Sequence, residues 1–202
     1  MTSEALRATF GDVDIYLFDQ LLRGRFNTRR RVLDAGCGSG RNLPFFLTHG
    51  FDVSAIDSDA AAVAAVAELV ARLAPHLPAD HVRRGSIDAL PWPDGSVDAV
   101  ISSAVLHFAH DLRRFSAMVG EMWRVLAPGG LLFARLATSI GLEDRLEAPV
   151  GRMRLPDGSE RFVVDEATLL TTTQSLGGHL MDPLKTTNVQ GQRAMTTWVV
   201  GK

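Results

Sequence analysis

The run Val32-Leu33-Asp34-Ala35-Gly36-Cys37-Gly38-Ser39-Gly40-Arg41-Asn42 constrains the fold of this chain more than any other stretch. Its apolar start reads as a buried strand, which then breaks into glycine at every second position. Lacking Cβ, Gly36, Gly38 and Gly40 admit positive φ and let backbone N–H groups press against a bound molecule. Arg41 to His49 reads as the following helix. The segment is therefore predicted to be the strand, glycine turn and helix of a nucleotide-binding α/β unit.

Spacing and charge separate two cofactor chemistries. Dinucleotide loops follow GxGxxG, the third glycine allowing close helix packing where a pyrophosphate meets the helix N-terminus. Here the pattern is GxGxG and Asp34 precedes it. A carboxylate at that point repels a pyrophosphate and suits an ammonium or sulfonium group. Asp57 closes the next apolar run, Asp52 to Ile56, after Gly50 has ended the first helix. An acid about 20 residues beyond a glycine loop, at the tip of the second strand, is placed to accept hydrogen bonds from both hydroxyls of an adenosine ribose. Ser58 and Asp59 beside it are suited to capping the helix Ala60 to Ala74.

On these residues the chain resembles the class I S-adenosylmethionine-dependent methyltransferases. Ordered matches run over residues 31–136: the glycine motif Asp34 to Gly40, the ribose acid Asp57, the loop Gly85 to Asp98, the segment Ser102 to Phe108 after strand four, and the turn Glu121 to Gly130 before strand five. The resemblance implies a cofactor site formed by Asp34, Gly36, Cys37, Gly38, Gly40, Asp57, Ser58, Ser86, Ile87, Asp88 and Ser102. It also implies S-adenosylmethionine as cofactor, S-adenosylhomocysteine as product, and a doubly wound Rossmann-like sheet of seven strands in the order 3-2-1-4-5-7-6, strand seven antiparallel. Gly40-Arg41-Asn42 and the short C-terminal half further resemble the tellurite-resistance and thiopurine type of small methyltransferase. One departure stands out. Members often carry Asp or Asn after the glycine matching Gly85, where the side chain meets the adenine amino group, and this chain has Ser86. Either the Ser86 hydroxyl or Asp88 takes that role, with the Ile87 N–H donating to a ring nitrogen.

The remaining pattern fits one α/β domain over 1–202. A helical leader (residues 1–30, with a helix near Ile15 to Arg23) precedes strands at 31–35, 52–56, 81–84, 97–102 and 131–136, alternating with helices at 41–49, 60–74 and 111–125. The tail offers a helix from Asp165 to Leu176 and two strands, Leu184 to Val189 and Thr196 to Val200. Proline cannot donate to a ladder, so Pro183 places strand six on the outside. Residues 137–161 lack periodicity and carry several Gly and Pro, which marks a substrate cover over the carboxyl ends of the strands.

Composition excludes several classes. Net charge is −2, so no global basic field attracts nucleic acid, and the cluster Arg23, Arg25, Arg29, Arg30, Arg31 is expected to form a solvated rim. The single cysteine cannot form an intrachain disulfide. Acids in the N-terminal stretch argue against a signal peptide, and no run of about 18 apolar residues occurs, so a cytoplasmic protein without a membrane partner is expected.

Methyl transfer from a sulfonium is an in-line displacement that needs alignment, plus a base where the acceptor carries a proton. Ser102-Ser103-Ala104-Val105 is not the Asp/Asn-Pro-Pro-Tyr type of motif used on planar amino groups. Cys37 lies in the glycine loop and not where a cytosine C5 nucleophile belongs, which leaves a small-molecule acceptor. His107 follows strand four and is the candidate catalytic base, with an ionisation expected near neutrality. His107 and His110 lack further ligands, so no metal is expected. An NAD(P)-binding oxidoreductase and a non-catalytic S-adenosylmethionine-binding module are the competing readings.

Overall fold

Strand-forming runs alternate with helices whose starts are set by short acidic caps, and the computed structural model describes this arrangement over residues 2–202. The leader forms two helices, α1 (Ser3–Phe10) and α2 (Ile15–Leu22). The α/β part follows as β1 (Arg31–Ala35), α3 (Pro44–Thr48), β2 (Asp52–Asp57), α4 (Ala60–Leu73), β3 (Val82–Arg84), β4 (Val97–Ser103), α5 (Leu112–Val125) and β5 (Leu126–Ala137). The tail adds β6 (Gly151–Arg154), β7 (Glu160–Val163), α6 (Glu166–Ser175), β8 (His179–Leu180), β9 (Lys185–Val189) and β10 (Arg193–Gly201). Asp14, Asp59, Asp111 and Asp165 cap α2, α4, α5 and α6, each accepting a backbone N–H of the first turn.

Strands β3-β2-β1-β4-β5 run parallel, and β10 returns antiparallel beside β5. The expected strands six and seven are β9 and β10, and they pair as an antiparallel hairpin outside β5. Alternate residues along each strand face opposite sides. Leu33, Val100 and Leu132 pack under α5 with Phe115, Met122 and Trp198, whereas Val32, Ile101 and Phe133 pack on the other face with Leu17, Phe46 and Val66. Trp198 is fully buried, and its Nε1–H donates to Thr173 Oγ1 at 3.0 Å, which ties α6 to the sheet.

Four expectations need correction. Among the described residues the main sheet has eight strands, not seven, because β8 pairs with Val200 and Gly201 beyond the reach of β9. Two residues are too few to leave a period. The helix expected over 41–49 is confined to Pro44–Thr48: Pro44 takes the first helical position, where no donor is needed, and Gly40 to Leu43 form a turn ahead of it. The strand expected over 131–136 starts at Leu126, since Val97 pairs with Leu126 before the register shifts to Ala99 against Leu131. The cover at 137–161 also contains regular structure, because β6 and β7 form an antiparallel hairpin around Pro156-Asp157-Gly158. Leu155 and Val163 bury themselves against Ala137 at the end of β5.

The arginine cluster is absorbed at the opposite end of the sheet from the glycine loop. Arg23 and Arg25 pair with Asp182, Arg31 with Asp98, and Arg29 donates to the carbonyls of Arg25 and Gly129. Arg30 stacks over Phe51. Among the described residues no helix is long and apolar enough to cross a membrane.

Candidate active site

Gly36, Gly38 and Gly40 adopt φ of 86°, 49° and 78°, the left-handed region that favours glycine. They do different work. A Cβ on Gly36 would lie 2.5 Å from Val105, and one on Gly40 would lie 3.0 Å from Leu69 and Val66, so these two permit close packing. A Cβ on Gly38 would meet no protein atom within 4 Å, because Gly38 faces a cavity of about 490 Å³ at the carboxyl ends of the strands. That volume is in the range of small-molecule sites.

Four of the loop's donors are already committed. Gly36 and Cys37 N–H both donate to the Ile56 carbonyl (2.8 and 3.0 Å), Gly40 N–H donates to the Cys37 carbonyl (2.9 Å), and Gly38 N–H donates to Asp57 Oδ2 (2.9 Å). The sequence suggested a loop that offers its N–H groups to the ligand, but these four are spent on the protein. Asp57 lines the cavity at the tip of β2, and its Oδ1 also accepts from Asp59 N–H. Ser58 lines the cavity beside it.

Asp34 lies beneath the loop, 1 % exposed, and it does not line the cavity. Burial, opposed by Arg41 and reinforced by Asp57, pushes its carboxyl up to about 7, and its Oδ2 is buried without a partner. Burial also raises the Cys37 thiol, which suits a packing residue and not a reactive one.

On the other cavity wall, Ser86 and Ile87 contribute together with Met118 and Arg114 of α5. Arg114 donates to Ser86 Oγ at 2.8 Å and pairs with Asp88. The Ser86 hydroxyl, and then the Arg114 charge, hold the Asp88 carboxyl below the usual carboxylate range. Asp88 is thus bound to Arg114, and Ser86 is the one of the two that lines the cavity. Glu121 and Arg124 pin this loop from below through Leu90 N–H and the carbonyls of Leu90 and Trp92.

Ser102 is fully buried and lies one residue short of the cavity, which Ser103, Ala104 and Val105 line. Ser103 Oγ donates to Asp14 Oδ2 (3.0 Å) and accepts from Arg41 (2.8 Å), while Arg41 and Arg135 also reach Asp14 (3.3 and 3.4 Å). One buried carboxylate from the leader thereby ties the glycine loop to β4 and β5. Ala104 sits at φ 64°, a strained conformation costing roughly 1–2 kcal/mol for a residue with a side chain.

Ala104, Arg41 and Phe108 also line a second cavity of about 470 Å³, whose wall is the β6–β7 hairpin with residues of β5, β9 and β10. His107 faces this second cavity and not the first. It is 5 % exposed, its Nδ1 has no partner, and burial with the charges of Arg161 and Arg135 lowers its pKa to about 4. The ionisation expected near neutrality is therefore displaced to acid, and the imidazole is neutral at physiological pH. Sequence reasoning missed Arg114, Met118, Ser103 and Val105; it marked 137–161 as a cover and His107 as a site residue, but not the arginines of the second cavity or the hairpin that walls it. Only the turn signal Pro156-Asp157-Gly158 between alternating segments could have announced its hairpin wall.

Residues 33–134 match the family model described as a methyltransferase domain. A Mycobacterium tuberculosis protein named "Probable S-adenosylmethionine-dependent methyltransferase" is 32% identical over 143 residues, covering 71% of this chain and 47% of that protein. The malonyl-[acyl-carrier protein] O-methyltransferase of Pectobacterium atrosepticum is 35% identical over 108 residues, 53% of this chain and 39% of the relative. The chain therefore spans less than half the length of these two curated relatives. The Burkholderia thailandensis 1,6-didemethyltoxoflavin-N1-methyltransferase, solved with its acceptor and S-adenosylhomocysteine, shares the fold at a TM-score of 0.68 and 17% identity, covering 99% of this chain and 86% of that one.

Proposed function

The chain belongs to the class I S-adenosylmethionine-dependent methyltransferase family, and from that premise we propose that it transfers a methyl group to a small-molecule acceptor held in the second cavity. The observation that carries the reading is the glycine loop. With the N–H groups of Gly36, Cys37, Gly38 and Gly40 bonded internally, the loop offers little to a pyrophosphate, while Asp57 faces the cavity where an adenosine ribose would sit. This favours S-adenosylmethionine over NAD(P). Asp57 would hold the ribose, Ser86 and the Ile87 N–H the adenine edge, and Met118 a ring face. The open space over Gly38 admits the ligand backbone.

Bound S-adenosylmethionine supplies an electrophilic methyl group, so the chain's own work is to align the acceptor and keep water away. Ala104 and Phe108 stand where the two cavities meet, which is where alignment is decided. His107, neutral and buried, acts by accepting a hydrogen bond or a proton from the acceptor. A pKa of about 4 leaves it unprotonated at neutral pH but a weak base, which favours the hydrogen-bonding role over proton removal. The small-molecule assignment draws support from the cavity's size and from the acceptor named in the Burkholderia structure. The narrower tellurite-resistance and thiopurine likeness rests on Gly40-Arg41-Asn42 and the short C-terminal half, and here Arg41 and Asn42 serve to bind Asp14.

Calorimetric titration with S-adenosylhomocysteine and with NADH tests the cofactor. Saturable binding of the first and none of the second is expected, and the reverse would restore the oxidoreductase reading. Methyl transfer to members of a metabolite panel separates an enzyme from a binding module.

A further inference from the structure

The second cavity has a charge pattern that the cofactor does not account for. We infer that the methyl acceptor carries an oxyanion, a carboxylate or a phosphate, and that Arg135, Arg161 and Arg193 receive it. The inference rests on the methyltransferase reading and names the substrate class of the same site.

Among the described residues four arginines line this cavity, Arg41, Arg135, Arg161 and Arg193, against a single lining acid, Asp157. Asp157 is largely occupied: it accepts from both the N–H and the hydroxyl of Ser159 (2.9 and 2.6 Å) and stands 3.9 Å from Arg193. Asp14 answers Arg41 and the Nη1 of Arg135 from behind the wall. What remains is an excess of positive charge over the lining carboxylate. Arg135 Nε is buried without a partner, and Arg161 gives one Nη to the carbonyl of Glu160 while its plane lies over the Phe108 ring at 5.4 Å.

Like charges gathered in a partly desolvated cleft repel one another, and a planar guanidinium is suited to grip a carboxylate or phosphate through paired N–H bonds. An oxyanion would relieve that repulsion. The unpartnered Nδ1 of His107 in the same cavity adds an uncharged polar contact. Position also fits. Arg135, Arg161 and Arg193 line only the second cavity, whereas Arg41, Ala104 and Phe108 line both, so an anion held by the first three leaves the rest of the acceptor directed at the junction. Leu155 and Met195 provide apolar surface for its body.

The test uses benzoate, phenyl phosphate and benzamide as probes, titrated by NMR against the full chain saturated with S-adenosylhomocysteine. At least one anion is expected to bind about tenfold tighter than the neutral amide, more weakly as salt rises, and the better of the two identifies the source of the oxyanion. Arg161→Gln with Arg193→Gln is expected to abolish that preference while leaving S-adenosylhomocysteine affinity within about threefold. If the double variant fails to fold, the wild-type anion-to-amide ratio and its salt dependence decide by themselves. Equal binding of the amide, or no saturable binding of either anion, would overturn the inference and leave the methyltransferase reading intact. Failure of S-adenosylhomocysteine to bind wild-type protein would overturn that reading, and this one with it.

Discussion

The two cavities share Arg41, Ala104 and Phe108 yet are built in opposite ways. The first takes its glycine loop and the acid Asp57 from the adjoining strands β1 and β2, and the loop and acid hold each other in place through Gly38 N–H and Asp57. The second draws its arginines from the glycine loop, β5, β7 and β10, elements far apart in the chain. One is a rigid receptor whose geometry is enforced by glycine torsions and backbone bonds. The other is a set of long side chains converging on one space, where the pairing of charges decides the chemistry. Such a division suits a protein that holds one cofactor through a common loop and sets its acceptor by variable walls.

The comparison breaks most visibly at the glycines. Gly36→Ala places a Cβ 2.5 Å from Val105 at φ 86° and should cost about 3 kcal/mol of stability, combining overpacking with left-handed strain. Gly38→Ala meets no protein atom and should cost only about 1 kcal/mol, yet its methyl enters ligand space. Chemical denaturation paired with calorimetry checks both: Gly36→Ala is expected to be the less stable, whereas Gly38→Ala should lose cofactor affinity out of proportion to its stability. Equal stability losses would show that the loop is not packed against Val105 in this way.

A second contrast lies in the buried titrating groups beside each cavity. His107 has its pKa lowered from 6.5 to about 4, so the unfolded chain takes up a proton that the folded one refuses, and stability falls as pH drops from about 6.5 towards 4. Asp34 is raised from 3.8 to about 7, so the folded chain keeps a proton that the unfolded one releases, and stability falls as pH rises from about 4 towards 7. Each effect is on the order of 3 kcal/mol. They oppose one another in the wild type, so variants are needed to see them. Relative to wild type, His107→Gln should gain stability as pH falls from about 6.5 towards 4, and Asp34→Asn as pH rises from about 4 towards 7, as read from denaturation curves across pH. Parallel curves for either variant would mean that the group is not desolvated as described.

The smallest effect sharpens the first cavity. Asp57→Ala removes the acceptor for Gly38 N–H and Asp59 N–H together with the expected ribose contact. S-adenosylhomocysteine affinity should fall by about tenfold or more, with the fold retained. Unchanged affinity measured by calorimetry would reject Asp57 as the ribose acid.

Legibility in the sequence followed the same line as the two cavities. The alternation of parallel strands and helices, the cap at Asp59 and an acid at the tip of β2 were readable because strand period, glycine spacing and Asx caps act over a few residues. Asp88 and Ser102 were misjudged because position in a motif does not say which way a side chain is already bonded: Asp88 is taken by Arg114, and Ser102 points into the core one residue before the cavity. Arg114 itself left no signal, since an arginine on α5 looks like any solvated helix residue until Ser86 and Asp88 are brought against it.

The amino-acid sequence by itself determined the parallel α/β class, the glycine loop and the acid at the end of β2, since these depend on local torsion and on periodicity, whereas the strand order came from the family resemblance. Only the tertiary structure decided that the N–H groups of Gly36, Cys37, Gly38 and Gly40 are spent, that His107 is neutral and faces a second space, and that Arg135, Arg161 and Arg193 converge there. Burial and charge proximity are properties of packing, and residues distant in the chain acquire them only when β5, the β6–β7 hairpin and β10 come together.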